Sequence, residues 1–141
     1  EDKLLQWQPF VLKFTAADTY KWNEFPLQVV FRQDAKKICL DGYWDGENNW
    51  KVSFAAPTSG EWTWETNSED SSLKGKQGVL SVDEVTKEDT EANSNFKGHV
   101  KVVDGERYFA YSDGTHFLLL GDTNWAINMF RCGIKNPNFA P

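Results

Sequence analysis

The first hundred residues alternate between apolar and polar positions with a period of two. Phe10, Leu12 and Phe14 fall on one face of a strand, and Lys13 and Thr15 fall on the other. The same alternation returns at 27–31, 38–40, 50–54, 62–64 and 80–82. Because successive side chains of a strand point to opposite faces, this period predicts half-buried strands. Short strands at this spacing predict an all-β fold, an antiparallel β-sandwich of the immunoglobulin or fibronectin type.

Turn residues separate the predicted strands. Asp41-Gly42 and Asp45-Gly46 tolerate positive φ, and Pro57–Gly60 is typical of a further turn. Residues 83–97 lose the alternation and gain acidic side chains. We therefore expect a linker or an exposed loop between residues 83 and 97.

The pattern changes in the last part of the chain. Ser112–Thr115 separates two arms, Glu106–Ala110 and His116–Leu120, which predicts a β-hairpin. Within the second arm, Phe117–Leu120 is a continuous apolar run. Such a run is typical of a strand buried on both faces, as in a parallel sheet covered by helices.

Length and charge exclude several classes of protein. The 141 residues suffice for one domain plus a fragment, whereas a (β/α)8 barrel needs about 250. With 15 Lys plus Arg against 21 Asp plus Glu, the net charge is -6, so we expect no nucleic-acid partner. No apolar stretch approaches the ~18 residues of a membrane span, so we expect no membrane partner either. The first residues do not form a signal peptide, so the protein is intracellular or a leader has been removed.

Aromatic residues are abundant, with 7 Trp, 10 Phe and 4 Tyr. Trp50, Trp62 and Trp64 share the alternation of apolar neighbours, so we predict that they lie in the core. Tyr43 and Trp44 lie between two Asp-Gly pairs, where side chains reach solvent. They are therefore candidates for a carbohydrate or interface contact, since exposed aromatic rings can stack on sugar rings.

The residues give no support for a metal, a cofactor or a catalytic centre. An EF-hand loop that began at Asp41 would need an oxygen ligand at Tyr43 and a Glu at Val52, so the acidic cluster there is better explained by turns. His99 and His116 occur without a nucleophile elbow. Cys39 and Cys132 could form a single disulfide bond, although a free thiol at Cys39 is the simpler interpretation.

Five short motifs occur in order along the chain, namely Asp41–Gly46, Trp50–Phe54, Gly60–Trp64, Phe109–Thr115 and Leu120–Trp125. Together they resemble a bacterial family of carbohydrate-active proteins. In that family a small β-sandwich of unassigned function precedes an apiosidase-like glycoside hydrolase barrel. Ser53 departs from the family pattern, which has Arg at that position, so any role of that Arg does not carry over.

The resemblance implies that 1–97 form the accessory β-sandwich, and that 98–141 form only a truncated opening segment of a (β/α)8 barrel. Catalysis in the family needs two carboxylates on later barrel strands, so we expect no catalytic residue, no cofactor and no enzymatic activity of this chain alone. Asp122, at the end of the first barrel strand, and Trp125 become further candidates for a carbohydrate or interface contact. The resemblance also implies a periplasmic or extracellular location.

Two hypotheses about function follow. In the first, the chain is a non-catalytic module that supports a catalytic barrel or contacts carbohydrate such as plant polysaccharide. In the second, it is a self-standing interaction module that binds another copy of the chain through its apolar C-terminal segment, by strand addition or exchange.

Overall fold

The computed structural model describes residues 4–17 and 27–121, and these contain ten strands and one short helix. The elements are β1 (Pro9–Thr15), β2 (Gln28–Gln33), β3 (Lys36–Asp41), β4 (Tyr43–Trp44), β5 (Asn49–Ala55), β6 (Gly60–Asn67), β7 (Gln77–Val82), α1 (Lys87–Ala92), β8 (Val100–Val102), β9 (Phe109–Tyr111) and β10 (His116–Phe117). Every predicted run of alternation between residues 10 and 82 corresponds to a strand, because one face of each run is buried or, in β3, packs partly buried against the core.

Two antiparallel sheets pack face to face. The four-stranded sheet has the order β3-β2-β6-β7, and the three-stranded sheet has the order β1-β5-β4. Phe31 of the first sheet stacks on Phe54 of the second, with ring centroids 3.9 Å apart and planes 7° apart. Trp62 meets the same Phe54 edge-on at 5.3 Å. The predicted antiparallel β-sandwich is therefore confirmed, and its core lies between the two sheets.

The core tryptophans follow the sequence prediction in two cases of three. Trp50 and Trp62 are fully buried. Trp64 is only half-buried, although it packs against the core and meets Phe14 edge-on at 5.9 Å. Its indole lies over Gly78, where an added Cβ would come within 2.7 Å of the ring. The missing side chain at position 78 thus leaves the space that Trp64 occupies near the edge of the sheet.

Gly42 carries the chain from one sheet to the other. It is the single residue between β3 and β4, which belong to different sheets. Its N–H donates to the carbonyl of Leu27 at 2.7 Å, and an added Cβ would lie 2.9 Å from Cδ2 of that leucine. Unlike Gly46, with φ of 96°, Gly42 does not have a positive φ. Close approach of the backbone, and not a left-handed turn, is what requires glycine here.

The segment 83–97 differs from the predicted linker because it contains α1. Thr86 caps this helix, since its hydroxyl accepts from the Asp89 N–H at 3.2 Å, and the Asp89 carboxylate accepts from the Thr86 N–H at 2.9 Å. The reciprocal pair is a capping box, which stabilises a helix locally. No residue of α1 is buried, so the periodicity of a buried face could not reveal it.

A third, smaller sheet follows, with the order β10-β9-β8. The hairpin between β9 and β10 confirms the predicted turn, in which Gly114 has a φ of 89°. The prediction of a doubly buried strand at Phe117–Leu120 is wrong. Strand β10 ends at Phe117, and Leu118, Leu119 and Leu120 are exposed at 81%, 66% and 87%. No described residue packs over these leucines to bury them.

Candidate functional site

Tyr43 and Trp44 form the short edge strand β4, and both are exposed. Tyr43 pairs with Lys51, and Trp44 pairs with the buried Trp50. Residues directly opposite each other in a sheet point to the same face. The two aromatic side chains therefore lie on opposite faces of β4, and they do not form one aromatic platform.

Trp44 stabilises the turn that follows it. Its indole N–H donates to the carbonyl of Glu47 at 2.8 Å. Glu47 has a φ of 51°, a left-handed conformation that is unfavourable for a residue with a side chain. The hydrogen bond thus supports the strained end of the turn that the sequence predicted at Asp45-Gly46.

Tyr43 lies on the outer face of the three-stranded sheet. Its phenol oxygen is 3.2 Å from the hydroxyl of Ser53, on the neighbouring strand β5. Ser53 is two residues beyond Lys51, the direct partner of Tyr43, so the ring runs diagonally across the sheet. Ser53 is also the residue at which the sequence departs from the family pattern. The Tyr43 side chain is thus in contact with β5 and remains 43% exposed.

Charged side chains continue the same outer face. Lys51 forms an ion pair with Asp45 at 2.5 Å. On the far side of Lys51, β1 places Lys13 directly opposite, and Lys13 is exposed. In the part of the chain that the structure describes, Lys13 forms no ion pair. We call Lys13, Lys51, Asp45, Tyr43 and Ser53 the Tyr43 surface.

The acidic and amide residues around Tyr43 serve the fold. Asp41 accepts a hydrogen bond from Gln28, and Asn48 donates to the carbonyl of Ala16 at 2.8 Å. Residues 4–17 and 27–121 contain no group of three His, Cys, Asp or Glu placed to hold a metal ion. Turn formation and links between strands account for the cluster, as the failed EF-hand spacing indicates.

A second surface is the apolar side of the small sheet. Val102, Phe109 and Phe117 lie opposite one another across the three strands, and Val100 pairs with Tyr111 on the same side. Tyr111 meets Phe117 edge-on at 5.2 Å. Val102 is 64% exposed, and Val100 and Phe109 are exposed as well. We call these five residues the apolar face, and the exposed Leu118–Leu120 continue from its edge.

A third feature is an open groove of about 490 Å³ on the outer side of the four-stranded sheet. Its lining combines polar and apolar residues, namely Val30, Arg32, Thr63, Trp64, Glu65, Gln77, Gly78 and Val79. Trp64 is the aromatic residue of this lining, but its ring packs on the inner side of the sheet, where it meets Phe14, and the outward positions of these strands are polar or aliphatic. The groove therefore lacks the stacking surface that the Tyr43 surface provides.

The other residues singled out from the sequence have varied positions. Asp122, Trp125 and Cys132 lie outside the described residues. Cys39 is free and exposed. The ring of His116 packs against that of Tyr108, with ring centroids 4.6 Å apart. The carbonyl of His99 accepts a hydrogen bond from the hydroxyl of Ser112. Within the described residues, no helix is long and apolar enough to cross a membrane.

The sequence did not identify Lys13 and Lys51 as neighbours of Tyr43. Each is a polar position within an alternating strand, and that signal marks only an outward direction. Which outward side chains stand side by side depends on the pairing of β1, β4 and β5, strands that are far apart in sequence. The order β1-β5-β4 brings the three residues into one row.

Comparisons with known proteins relate the chain to glycoside hydrolases. Residues 3–69 match the model of a family described as a domain of unknown function (DUF5060). A solved structure described as "a putative glycoside hydrolase" from Bacteroides vulgatus ATCC 8482 has a TM-score of 0.72 and 30% sequence identity. That match covers 89% of this chain but 23% of the other, so the chain spans about a quarter of that relative. No curated protein matches. Residues 3–69 are thus similar to a domain of unknown function, and the fold of the described residues is similar to part of a protein described as a putative glycoside hydrolase.

Proposed function

We propose that this chain is a non-catalytic accessory β-sandwich module of a secreted glycoside hydrolase, and that it supports an apiosidase-like catalytic barrel or contacts carbohydrate. The observation that carries the proposal is the apolar face. Val102, Phe109 and Phe117 form a continuous row across three strands, with Val102 and Phe109 open to solvent. A contiguous exposed apolar surface on a folded domain marks an interaction site.

The comparison with the relative supports a protein domain as the partner. The chain corresponds to 23% of the Bacteroides vulgatus protein, so most of that protein lies outside the matched part. The remainder of the relative has ample size for a (β/α)8 barrel. Burial of the apolar face against a barrel would gain roughly 25 cal/mol for each Å² removed from water.

The test is association with a separately produced catalytic part. The portion of the Bacteroides vulgatus protein outside the match is mixed with this chain, and binding is followed by calorimetry and gel filtration. We expect a complex that Val102→Lys weakens at least about tenfold, because a charge would be buried in the contact. Val79→Lys is the matched control, since Val79 is a strand valine of similar exposure, 58%, on a different sheet.

The same face supports the second candidate function, a self-standing module that binds another copy of the chain. In that case the 141-residue protein sediments as a dimer, Val102→Lys returns it to a monomer, and the separated catalytic part does not bind. A monomer that forms the mixed complex supports the accessory module. A monomer that binds neither partner contradicts both docking to a barrel and self-association, and leaves carbohydrate contact as the remaining accessory role.

Lack of catalysis is tested separately. The chain is incubated with plant polysaccharides, and reducing ends are measured over time. We expect no release above the level of a heat-denatured sample. Release that survives further purification would contradict the non-catalytic role.

A further inference from the structure

We propose that the Tyr43 surface binds an oligosaccharide that contains uronic acid. In this proposal Tyr43 stacks on a sugar ring and Lys13 pairs with a carboxylate of the ligand. The proposal rests on the carbohydrate-contact role proposed above and names its ligand class. It concerns the outer side of the three-stranded sheet, whereas domain docking concerns the apolar face of the small sheet.

The orientation of Tyr43 is the first argument. The contact between its phenol and Ser53, at 3.2 Å, holds the ring along the sheet surface, and the side chain remains 43% exposed. The face of an aromatic ring carries partial negative charge. The C–H groups on one side of a pyranose ring carry partial positive charge, so they are attracted to such a face. A tethered ring also loses little side-chain entropy when a ligand binds.

The charge beside Tyr43 is the second argument. Lys13 and Lys51 lie directly opposite each other, and like charges in that position destabilise a sheet. Asp45 compensates Lys51 through the 2.5 Å ion pair. Lys13 has no such partner among residues 4–17 and 27–121. A carboxylate of the ligand would neutralise the positive charge of Lys13. We therefore expect an acidic sugar at this surface, although the net charge of the whole chain is -6.

The spacing of the row is the third argument. Lys13, Lys51 and Tyr43 occupy neighbouring positions on β1, β5 and β4. Adjacent strands are about 4.8 Å apart, so the backbone positions of Lys13 and Tyr43 are separated by about 10 Å. Two linked sugar rings span such a distance. One ring can therefore stack on Tyr43 while the carboxylate of the next ring reaches Lys13, with the Lys51–Asp45 pair beneath to bind hydroxyl groups.

The experiment is a titration of the 141-residue protein with tetragalacturonate and, separately, with the neutral cellotetraose, followed by backbone amide NMR shifts. We expect tetragalacturonate to bind at least about tenfold more tightly than cellotetraose, and added salt to weaken it. Tyr43→Ala and Lys13→Ala should each weaken binding at least about tenfold, whereas Lys13→Arg should retain it. Tyr108→Ala is the matched control, because Tyr108 is a tyrosine of similar exposure, 40%, outside this surface.

Several results would overturn the proposal. Absence of binding at millimolar tetragalacturonate would do so, as would equal binding of the neutral sugar. Shifts centred on Arg32 and Gln77 would place the ligand in the groove of the four-stranded sheet and not at Tyr43. Val102→Lys should leave saccharide binding unchanged. If docking to the catalytic part is sensitive to Val102→Lys while no saccharide binds, only the inference about the Tyr43 surface fails.

Discussion

The indole of Trp7 packs against the backbone of Gly98, so that a Cβ at position 98 would lie 3.0 Å from Cε2 of the ring. Trp7 belongs to the segment before β1, where its backbone N–H donates to the carbonyl of Ala56 in the sandwich at 2.9 Å. Gly98 lies two residues before β8, the first strand of the small sheet. On the other side, the same Cβ would lie 2.5 Å from the Cβ of Ser112. Trp7 thus joins the sandwich to the small sheet. Only glycine fits at position 98, between the indole of Trp7 and the side chain of Ser112.

Gly98→Ala should therefore destabilise the protein more than an alanine at another left-handed glycine. Gly98 has a φ of 88°, and the added methyl group would also overlap Ser112. Gly105→Ala is the control, because Gly105 has a φ of 79° but nothing within 4 Å of its Cβ position. We expect a loss of about 1 kcal/mol in the free energy of unfolding for Gly105→Ala. Gly98→Ala should lose about 1–3 kcal/mol more in urea unfolding. Equal losses would show that the contact with Ser112 relaxes freely.

A protein that ends at Lys97 should still fold as a sandwich, as the predicted boundary at 97 requires. The buried core cluster runs from Phe14 to Val82 and includes no residue of the small sheet. Trp7 would lose its contact with Gly98, so the thermal midpoint should fall while the transition stays cooperative. Circular dichroism during heating measures both quantities. A broad, non-cooperative transition would contradict the division into 1–97 and 98–141.

Trp44→Phe should destabilise the turn between β4 and β5. The substitution removes the indole N–H that donates to Glu47 at 2.8 Å and leaves an aromatic ring on the edge strand. We expect a loss of about 1 kcal/mol in the free energy of unfolding, the usual net value of a hydrogen bond. Chemical denaturation measures it. Tyr43→Phe is the comparison, because its contact with Ser53, at 3.2 Å, is longer than the 2.8 Å hydrogen bond of Trp44 and should contribute less. A smaller effect for Trp44→Phe than for Tyr43→Phe would contradict this order.

Thr86→Ala should unfold α1 and leave global stability unchanged. The threonine hydroxyl accepts from the Asp89 N–H, and its loss should cost the helix about 1 kcal/mol. Because α1 buries no side chain, that loss remains local. Hydrogen exchange of the α1 amides should accelerate, while the urea midpoint stays the same. Thr86→Ser keeps an acceptor and should restore the protection. A shifted midpoint would show that α1 supports the sandwich.

Local sequence patterns predicted the strands in which buried and exposed side chains alternate. The strands that contain Phe14, Phe31 and Trp62 were predicted because each buries one face, and burial of one face produces a period of two. The helix α1 was missed because it buries nothing. The apolar run Phe117–Leu120 predicts a buried strand, but its leucines are exposed. Apolar character indicates a preference for burial and does not show whether another element covers the run.

The sequence alone determined the all-β class, the inward positions of Trp50 and Trp62, and the exposure of Tyr43 and Trp44. These properties depend on neighbours along the chain, through strand period and turn residues. Only the tertiary structure decided that Tyr43 and Trp44 face opposite ways, and that Lys13 shares a row with Tyr43. Both outcomes depend on how β1, β5 and β4 pair. The packing of the two sheets against each other, through contacts such as Phe31 with Phe54, fixes the register of that pairing. A one-residue slip in register would preserve the alternating pattern of each strand and reverse the face of every side chain.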